Sequence, residues 1–375
     1  MSAENPTAAP PHTRPVTPAD PLYSRPRTAR RVVIIGPGAT GGAIAAELHT
    51  ADVPVVLVAR GAEYDAIAAH GLAYHTPAGS QQIRLPVANG PAGVALEHDD
   101  LLLLATKCHD AEAALRDWAW QPVRLADGRW GTAARHLPLL TIQNGLITEQ
   151  VAQRWFTTIY GATIGCPGGK ERAGEIINFG AAARVLVWLG IVAGGSTAER
   201  TAVADLLRRS SLIRVQEVED IAPWKAWKLG YNTVNGLEPV FSGSPAREVL
   251  RRELRAEALE VLHHAGVVAV DPYHDSSSEL DLSLIAPHPV AGKQRQGNST
   301  LQSFLRGAPL ETDYLNGEVV LLGRQLGIPT PLNESVQELV ALVAAGALPD
   351  APLDETAVRA LLARSERPGS RSLDD

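Results

Sequence analysis

The chain has 375 residues, a net charge of -7 and 45% hydrophobic residues. That length suits two domains with ample core, and the acidic balance leaves no basic excess to hold nucleic acid. The two cysteines, Cys108 and Cys166, sit in unrelated contexts and form neither a disulfide framework nor a metal-ligand spacing, which suits a reducing compartment.

Residues 1–30 are rich in Pro, Ala, Thr and Arg and lack the apolar core of a signal peptide. They are expected to form a disordered leader. The longest apolar run, residues 185–195, is shorter than the roughly 20 residues that cross a bilayer, so no membrane partner is expected and the cytoplasm is the default.

Residues 31–48, RVVIIGPGATGGAIAAEL, join a β-branched apolar run to a glycine turn and then to a helical spacing of small and apolar residues. Gly36, Gly38 and Gly41 fit G-x-G-x-x-G, the dinucleotide-binding fingerprint when it stands between a strand and a helix. Gly36 allows the tight turn, Gly38 lets the backbone approach a pyrophosphate, and Gly41 lets the helix pack on the strand. Ala39 and Thr40 complete the loop, whose helix start favours a diphosphate. A second apolar strand, 55–58, ends at Arg60, where an NAD-binding chain usually carries Asp or Glu. A guanidinium at that place can grip a 2′-phosphate, so NADPH is expected over NADH; the bland alternative is a solvated surface Arg.

Residues 71–86 alternate around a Pro-Ala-Gly-Ser turn and are expected to form a β-hairpin. Runs 101–105 and 139–142 are continuous and apolar, hence central strands. They end at Lys107 and at Gln143-Asn144-Gly145, at the rim where open α/β sheets bind ligands. Lys107 could equally be a surface lysine, and Asn144 part of a plain Asn-Gly turn. Segments 175–178 and 184–191 are expected to form an antiparallel pair extending the sheet. A helix over 197–210 and a last strand over 212–215 follow.

After Val215 the strand-like runs stop. The apolar spacing of 221–240 predicts a helix that carries Lys228 and Asn232 on one face, beside Trp224 and Trp227. Partial desolvation lowers a lysine pKa toward that of a working proton donor, whereas the alternative is a cation with a snorkelling stem. Helices are also expected over 246–265 and 331–345. Ser299 caps a further helix or presents its hydroxyl to a carboxylate. Glu311 opens a long helix to Leu326, where the macrodipole accounts for it. Residues 346–375 are expected as a peripheral tail with one short helix over 355–363. The expected fold class is α/β: a Rossmann-type NADP-binding domain over 31–217, then an all-helical substrate domain over 218–345.

Taken together, the motifs resemble the ketopantoate reductases (2-dehydropantoate 2-reductases). GPGATG is similar to that family's phosphate loop, ATK to its motif lysine and IQNG to its QNG motif. WKAWKLGYN resembles its W-x-K-L-x-x-N helix, and NSTLQSFLRGAPLETDYLNG its serine and acidic segment. The resemblance implies catalytic roles for Lys228 and Glu311. It implies substrate contacts at Asn144, Asn232 and Ser299, and cofactor contacts at Lys107 and Asn144. It implies NADPH-dependent reduction of a small 2-oxo acid, foremost ketopantoate to pantoate for coenzyme A, with Lys228 as proton donor. Ile147, Thr300 and Ser303 depart from the family pattern near the substrate side, which leaves a ketone or imine reductase of another pathway as an alternative. A non-catalytic NADPH sensor is the alternative of another class. The sequence leaves a homodimer open.

Overall fold

The computed structural model describes residues 30–348 and 351–365. All but Arg30 of the leader expected over 1–30 lies outside the described residues. The largest sheet has eight strands, in the order Ile213–Glu217, Val185–Ala193, Ile159–Gly165, Leu139–Thr141, Asp100–Leu104, Arg31–Ile35, Val55–Val58, Val87–Ala88. The last six of that order run parallel. Val185–Ala193 is antiparallel to Ile159–Gly165, and Ile213–Glu217 is parallel to Val185–Ala193.

The continuous apolar runs follow from burial on both faces of the sheet. Val32, Ile34, Leu101 and Leu103 enter one core with Ile44 and Leu48 of the helix Ala39–Thr50. Val33, Ile35, Leu102 and Leu104 point the other way, to Leu115 and Trp118 of the helix Cys108–Ala119. Ile35 pairs with both Val58 and Leu104, so the three central strands end level and present one rim.

The expected hairpin forms as Leu72–Thr76 and Gly79–Ile83. Glu175–Asn178, however, does not pair with 184–191. It adds in parallel to Leu72–Thr76, within a second sheet that also holds Gly168–Gly169. The hairpin leaves one strand edge with unpaired N–H and C=O groups, and 175–178 satisfies them. This sheet lies on the helix Ala39–Thr50, where a Cβ at Gly42 would come within 2.5 Å of Ile176.

The second domain is helical. Ala222–Asn232 continues through a 3-10 turn, Thr233–Gly236, into Leu237–Val240. Pro223 stands in its first turn, where a missing N–H costs little. Pro245–His264, Asn316–Leu326 and Pro331–Ala344 pack with it around Leu250, Leu254, Val336 and Val340, and around Ala258, Val261, Leu315 and Val319.

Three further expectations need correction. The long helix does not open at Glu311: a short turn, Thr312–Tyr314, precedes it, and the helix begins at Asn316. Asn298, not Ser299, caps the helix Ser299–Leu305, because its Oδ1 accepts from the N–H groups of Thr300 and Leu301. The segment expected as a peripheral tail sends the helix Glu355–Ser365 into the core, with Val358, Leu361 and Leu362 buried. Truncating Leu361 to alanine removes apolar contact from that core. Leu361→Ala is expected to cost about 2–4 kcal/mol in a urea unfolding experiment; a loss under about 0.5 kcal/mol, the scale of a surface change, would show that the helix does not hold the core.

Candidate active site

The glycine turn is built by close approach. Gly36 has φ +115°, and a Cβ there would lie 2.8 Å from the backbone of Ala105 and Thr106. A Cβ at Gly41 would lie 2.2 Å from the Gly36 carbonyl oxygen. Gly38 is the N-cap, with no side-chain cap and no acidic residue in the first turn. The N–H groups at Ala39 and Thr40 are therefore left for a ligand, and bare backbone leaves room for a diphosphate. These residues fit a dinucleotide. Lys170, unnoticed in the sequence, reaches the same turn: its Nζ donates to the Pro37 carbonyl at 3.1 Å and pairs with Glu63. Burial pushes the Lys170 ammonium below its ordinary range, against the pull of Glu63.

Arg60 follows the strand Val55–Val58 and caps the helix Gly61–His70. Its guanidinium pairs with Asp117 at 2.9 Å, and both side chains are open to solvent. Exposed pairs of this kind contribute about 0–1 kcal/mol, so a phosphate dianion can take the guanidinium over.

Lys107, Asn144 and Glu311 are brought together. Lys107 Nζ pairs with Glu311 Oε2, and the other Glu311 oxygen accepts from the Cys108 N–H at 3.1 Å. Glu311 therefore serves the N-terminus of the helix Cys108–Ala119, not its own. Burial raises the Glu311 pKa, but Lys107 and the Cys108 N–H outweigh it and hold it below the usual carboxylate range. The Cys108 thiol donates to the Asn144 carbonyl at 3.2 Å.

A deeper junction lies beside these residues. Gln143 Nε2 donates to the carbonyls of Leu104 and Thr106 and so ties two strand ends. Lys225 Nζ, fully buried, donates to the Gln143 carbonyl at 2.7 Å and to Glu149 Oε1 at 2.6 Å. Thr141 Oγ1 donates to the same Glu149 oxygen. Glu318 accepts from the Leu146 N–H at 2.8 and 3.0 Å, and burial, against that hydrogen bond and Lys225, pushes its pKa up to about 7. Lys225, Glu149 and Glu318 were missed in the sequence, where each looks like an ordinary helix charge.

Lys228 stands one turn beyond Lys225. Its Nζ donates to the Ile164 carbonyl at 2.8 Å, at the end of the strand Ile159–Gly165. Burial lowers its pKa from the ordinary lysine value. It shares no hydrogen bond with Glu311 among the described residues. Asn232 is buried one turn further on and accepts from Asn235 Nδ2 at 3.4 Å; Asn298 Nδ2 donates in turn to the Asn235 carbonyl. Ser299 is exposed beside that chain of amides. The Cys166 thiol, near Lys228, is pushed up to about 12 by burial and stays neutral. Lys228, Ile164 and Cys166 line a cavity of about 340 Å³.

Residues 32–193 match the family model for ketopantoate reductase PanE/ApbA, and residues 220–344 match the model of its C-terminal domain. The chain belongs to the ketopantoate reductase family. It is an NAD(P)-dependent oxidoreductase acting on CH–OH groups. It is 28% identical over 327 residues to the 2-dehydropantoate 2-reductase of Caulobacter vibrioides, covering 84% of this chain and 99% of that protein. The Mycobacterium tuberculosis enzyme of the same name is 27% identical over 337 residues, covering 85% and 99%. Among solved structures, D-mandelate dehydrogenase with NADH and anilino(oxo)acetate superposes with a TM-score of 0.69 at 22% identity, covering 84% of this chain and 99% of that one. The Ralstonia eutropha ketopantoate reductase gives 0.66 at 22%, covering 84% and 98%. These two superpositions speak for the fold. Among the described residues, no helix is long and apolar enough to cross a membrane.

Glu318 gives the junction a pH signature. Its folded pKa, about 7, lies above the 4.5 of an unperturbed glutamate, so the folded state holds the proton more tightly. Stability then falls as pH rises from about 4.5 to about 7, because unfolding releases that proton. Urea unfolding across this range should show the fall in the parent chain and a flatter profile in Glu318→Gln. Parallel profiles would mean that Glu318 is ionised throughout.

Proposed function

We propose that this chain reduces the ketone of a 2-oxo acid to the 2-hydroxy acid with NADPH, and that Lys228 donates the proton. The observation that carries the reading is the half-buried Lys228, its ammonium held at the rim of the strand ends and facing a cavity. The reduced nicotinamide, when bound, supplies the hydride. Gly36, Gly38, Ala39, Thr40 and Gly41 seat the diphosphate, Arg60 holds the 2′-phosphate, and Lys107 and Asn144 flank the nicotinamide end.

As the ketone carbon is reduced, charge builds on its oxygen. The Lys228 ammonium stabilises that charge and passes a proton to it. Burial aids this, because a lowered pKa makes the ammonium the stronger acid. Asn232 and Ser299 hold the polar groups of the substrate, and Glu311 keeps Lys107 in place. Ketopantoate is the first acid to assay, since it is the substrate for which the relatives are named; pantoate formation for coenzyme A would follow from its turnover.

Lys228→Ala is expected to lower kcat by about a hundredfold or more while the unfolding midpoint stays in place. In the parent chain, kcat should fall as pH rises through the lowered Lys228 pKa, that is, on a basic limb beginning below 10.5. Near-normal turnover in the variant would remove Lys228 from the chemistry. Arg60→Gln tests the cofactor: the KM for NADPH should rise about tenfold or more, the worth of a charge-assisted contact, with the KM for NADH unmoved. Equal changes for both cofactors would assign Arg60 no part in the choice.

A further inference from the structure

A lysine stands between the starts of two helices. The helix Ala39–Thr50 begins at the glycine turn, and the helix Gly61–His70 begins at Arg60. Lys170 reaches both starts: its Nζ donates to the Pro37 carbonyl at 3.1 Å and pairs with Glu63, in the first turn of the second helix. An ammonium has three N–H donors, and among the described residues these two partners leave one unused. Glu63 does not depend on the ammonium alone, because its Oε2 accepts from the Gly174 N–H at 3.0 Å. The backbone beside Lys170 is pinned on two sides. Arg306 Nη1 donates to the Lys170 carbonyl at 3.0 Å, and a Cβ at Gly168 would lie 3.1 Å from the Ala39 Cβ. Arg60 caps its helix without a side-chain hydrogen bond, so the N–H groups of the first turn lack a side-chain cap. There is room over that turn: a Cβ at Gly61 would meet nothing within 4 Å.

We propose that Lys170 is a second cation for the 2′-phosphate of the cofactor, acting with Arg60 and the first turn of the helix Gly61–His70. The inference rests on the NADPH reading above and deepens it. A phosphate monoester carries about two negative charges near neutral pH, and Arg60 supplies one positive charge. Arg60 is open to solvent, where a single ion pair contributes little. The Lys170 side chain is only 19% exposed, so water and salt screen its attraction less. The two cations belong to one place. Glu63, which Lys170 grips, is three residues from Arg60 on the same helix start, a rise of about 4.5 Å. Without Lys170, the Glu63 carboxylate would stand beside the phosphate as an unpaired like charge. Burial holds the Lys170 pKa below its ordinary range, and an anion beside the ammonium offsets that solvation cost. The pinned backbone means that little order has to be gained on binding.

The test reads binding without turnover. The full chain is titrated in a calorimeter with NADPH, NADH, 2′,5′-ADP and 5′-ADP. In Lys170→Gln, the Kd for NADPH and for 2′,5′-ADP should rise about tenfold or more, the worth of a charge-assisted contact, with NADH and 5′-ADP within about twofold of the parent. A second measurement needs no variant to fold. In the parent chain, 2′,5′-ADP should protect Lys170 from acetylation by acetic anhydride, read by peptide mass spectrometry, and 5′-ADP should leave it labelled. An equal rise for all four ligands in Lys170→Gln would make the lysine a structural tie and overturn the proposal. Labelling of Lys170 that 2′,5′-ADP leaves unchanged would overturn it too. A parent chain that binds NADH as tightly as NADPH would remove the NADPH reading and this one with it. A parent preference for NADPH that persists undiminished in Lys170→Gln would remove this one alone.

Discussion

One buried ammonium ties the helical domain to the sheet. Lys225 leaves water entirely and finds the Gln143 carbonyl and the Glu149 carboxylate. Breaking such a pair from one side costs about 3–5 kcal/mol, because the partner is left charged and unpaired. Lys225 also sets the place of Lys228. The two are three residues apart on one helix, a rise of about 4.5 Å. Their acceptors lie at the ends of neighbouring strands, Gln143 just after Leu139–Thr141 and Ile164 near the end of Ile159–Gly165, and neighbouring strands are about 4.8 Å apart. The helix therefore crosses the strand ends with its lysines in step with them: the first anchors it, and the second is carried to the next strand end.

The second domain also reaches in with acids. Glu311 meets Lys107 and the Cys108 N–H beyond the strand Asp100–Leu104, and Glu318 meets the Leu146 N–H beyond Leu139–Thr141. Three consecutive strand ends are thus held by side chains of the helical domain. The close packing at Gly145 is part of the same arrangement: a Cβ there would lie 2.2 Å from the Glu318 carboxylate. The turn has to be glycine for the acid to come down on the Leu146 N–H.

What the sequence made legible was local. Strand, glycine turn and helix follow one another within 18 residues, and β-branched runs mark a strand buried on both faces. The partner of 175–178 was not legible, because it is a hairpin edge about 100 residues away and the choice between edges is tertiary. Lys225 and Glu149 were hidden for a like reason. They are 76 residues apart, and each has the look of a solvated helix charge until the domains meet. In the sequence the dipole of its own helix suffices to explain Glu311, whereas its carboxylate accepts from the Cys108 N–H at the start of another. Lys228 stood out because two tryptophans flank it, which is a local signal. Ser299 and its neighbour Asn298 compete for the capping role in the sequence, since Asn and Ser are nearly equal at that position and only geometry separates them.

Lys228 marks the border between two kinds of surroundings. On the side of Lys225 lie paired charges, each satisfied within the fold. On the other side is an aromatic cavity with no carboxylate in its lining and a neutral Cys166 thiol. The Ile164 carbonyl is the one hydrogen-bond acceptor Lys228 has among the described residues, and it carries only a partial charge. An ammonium so placed is held at a cost in solvation, and that cost weakens its hold on the proton. In the proposed reaction, a ketone oxygen that gains negative charge beside it would relieve that imbalance. On that proposal, the solvation cost to the ammonium would be greatest in the resting site and least when charge has formed on the substrate, the order that favours reduction over mere binding.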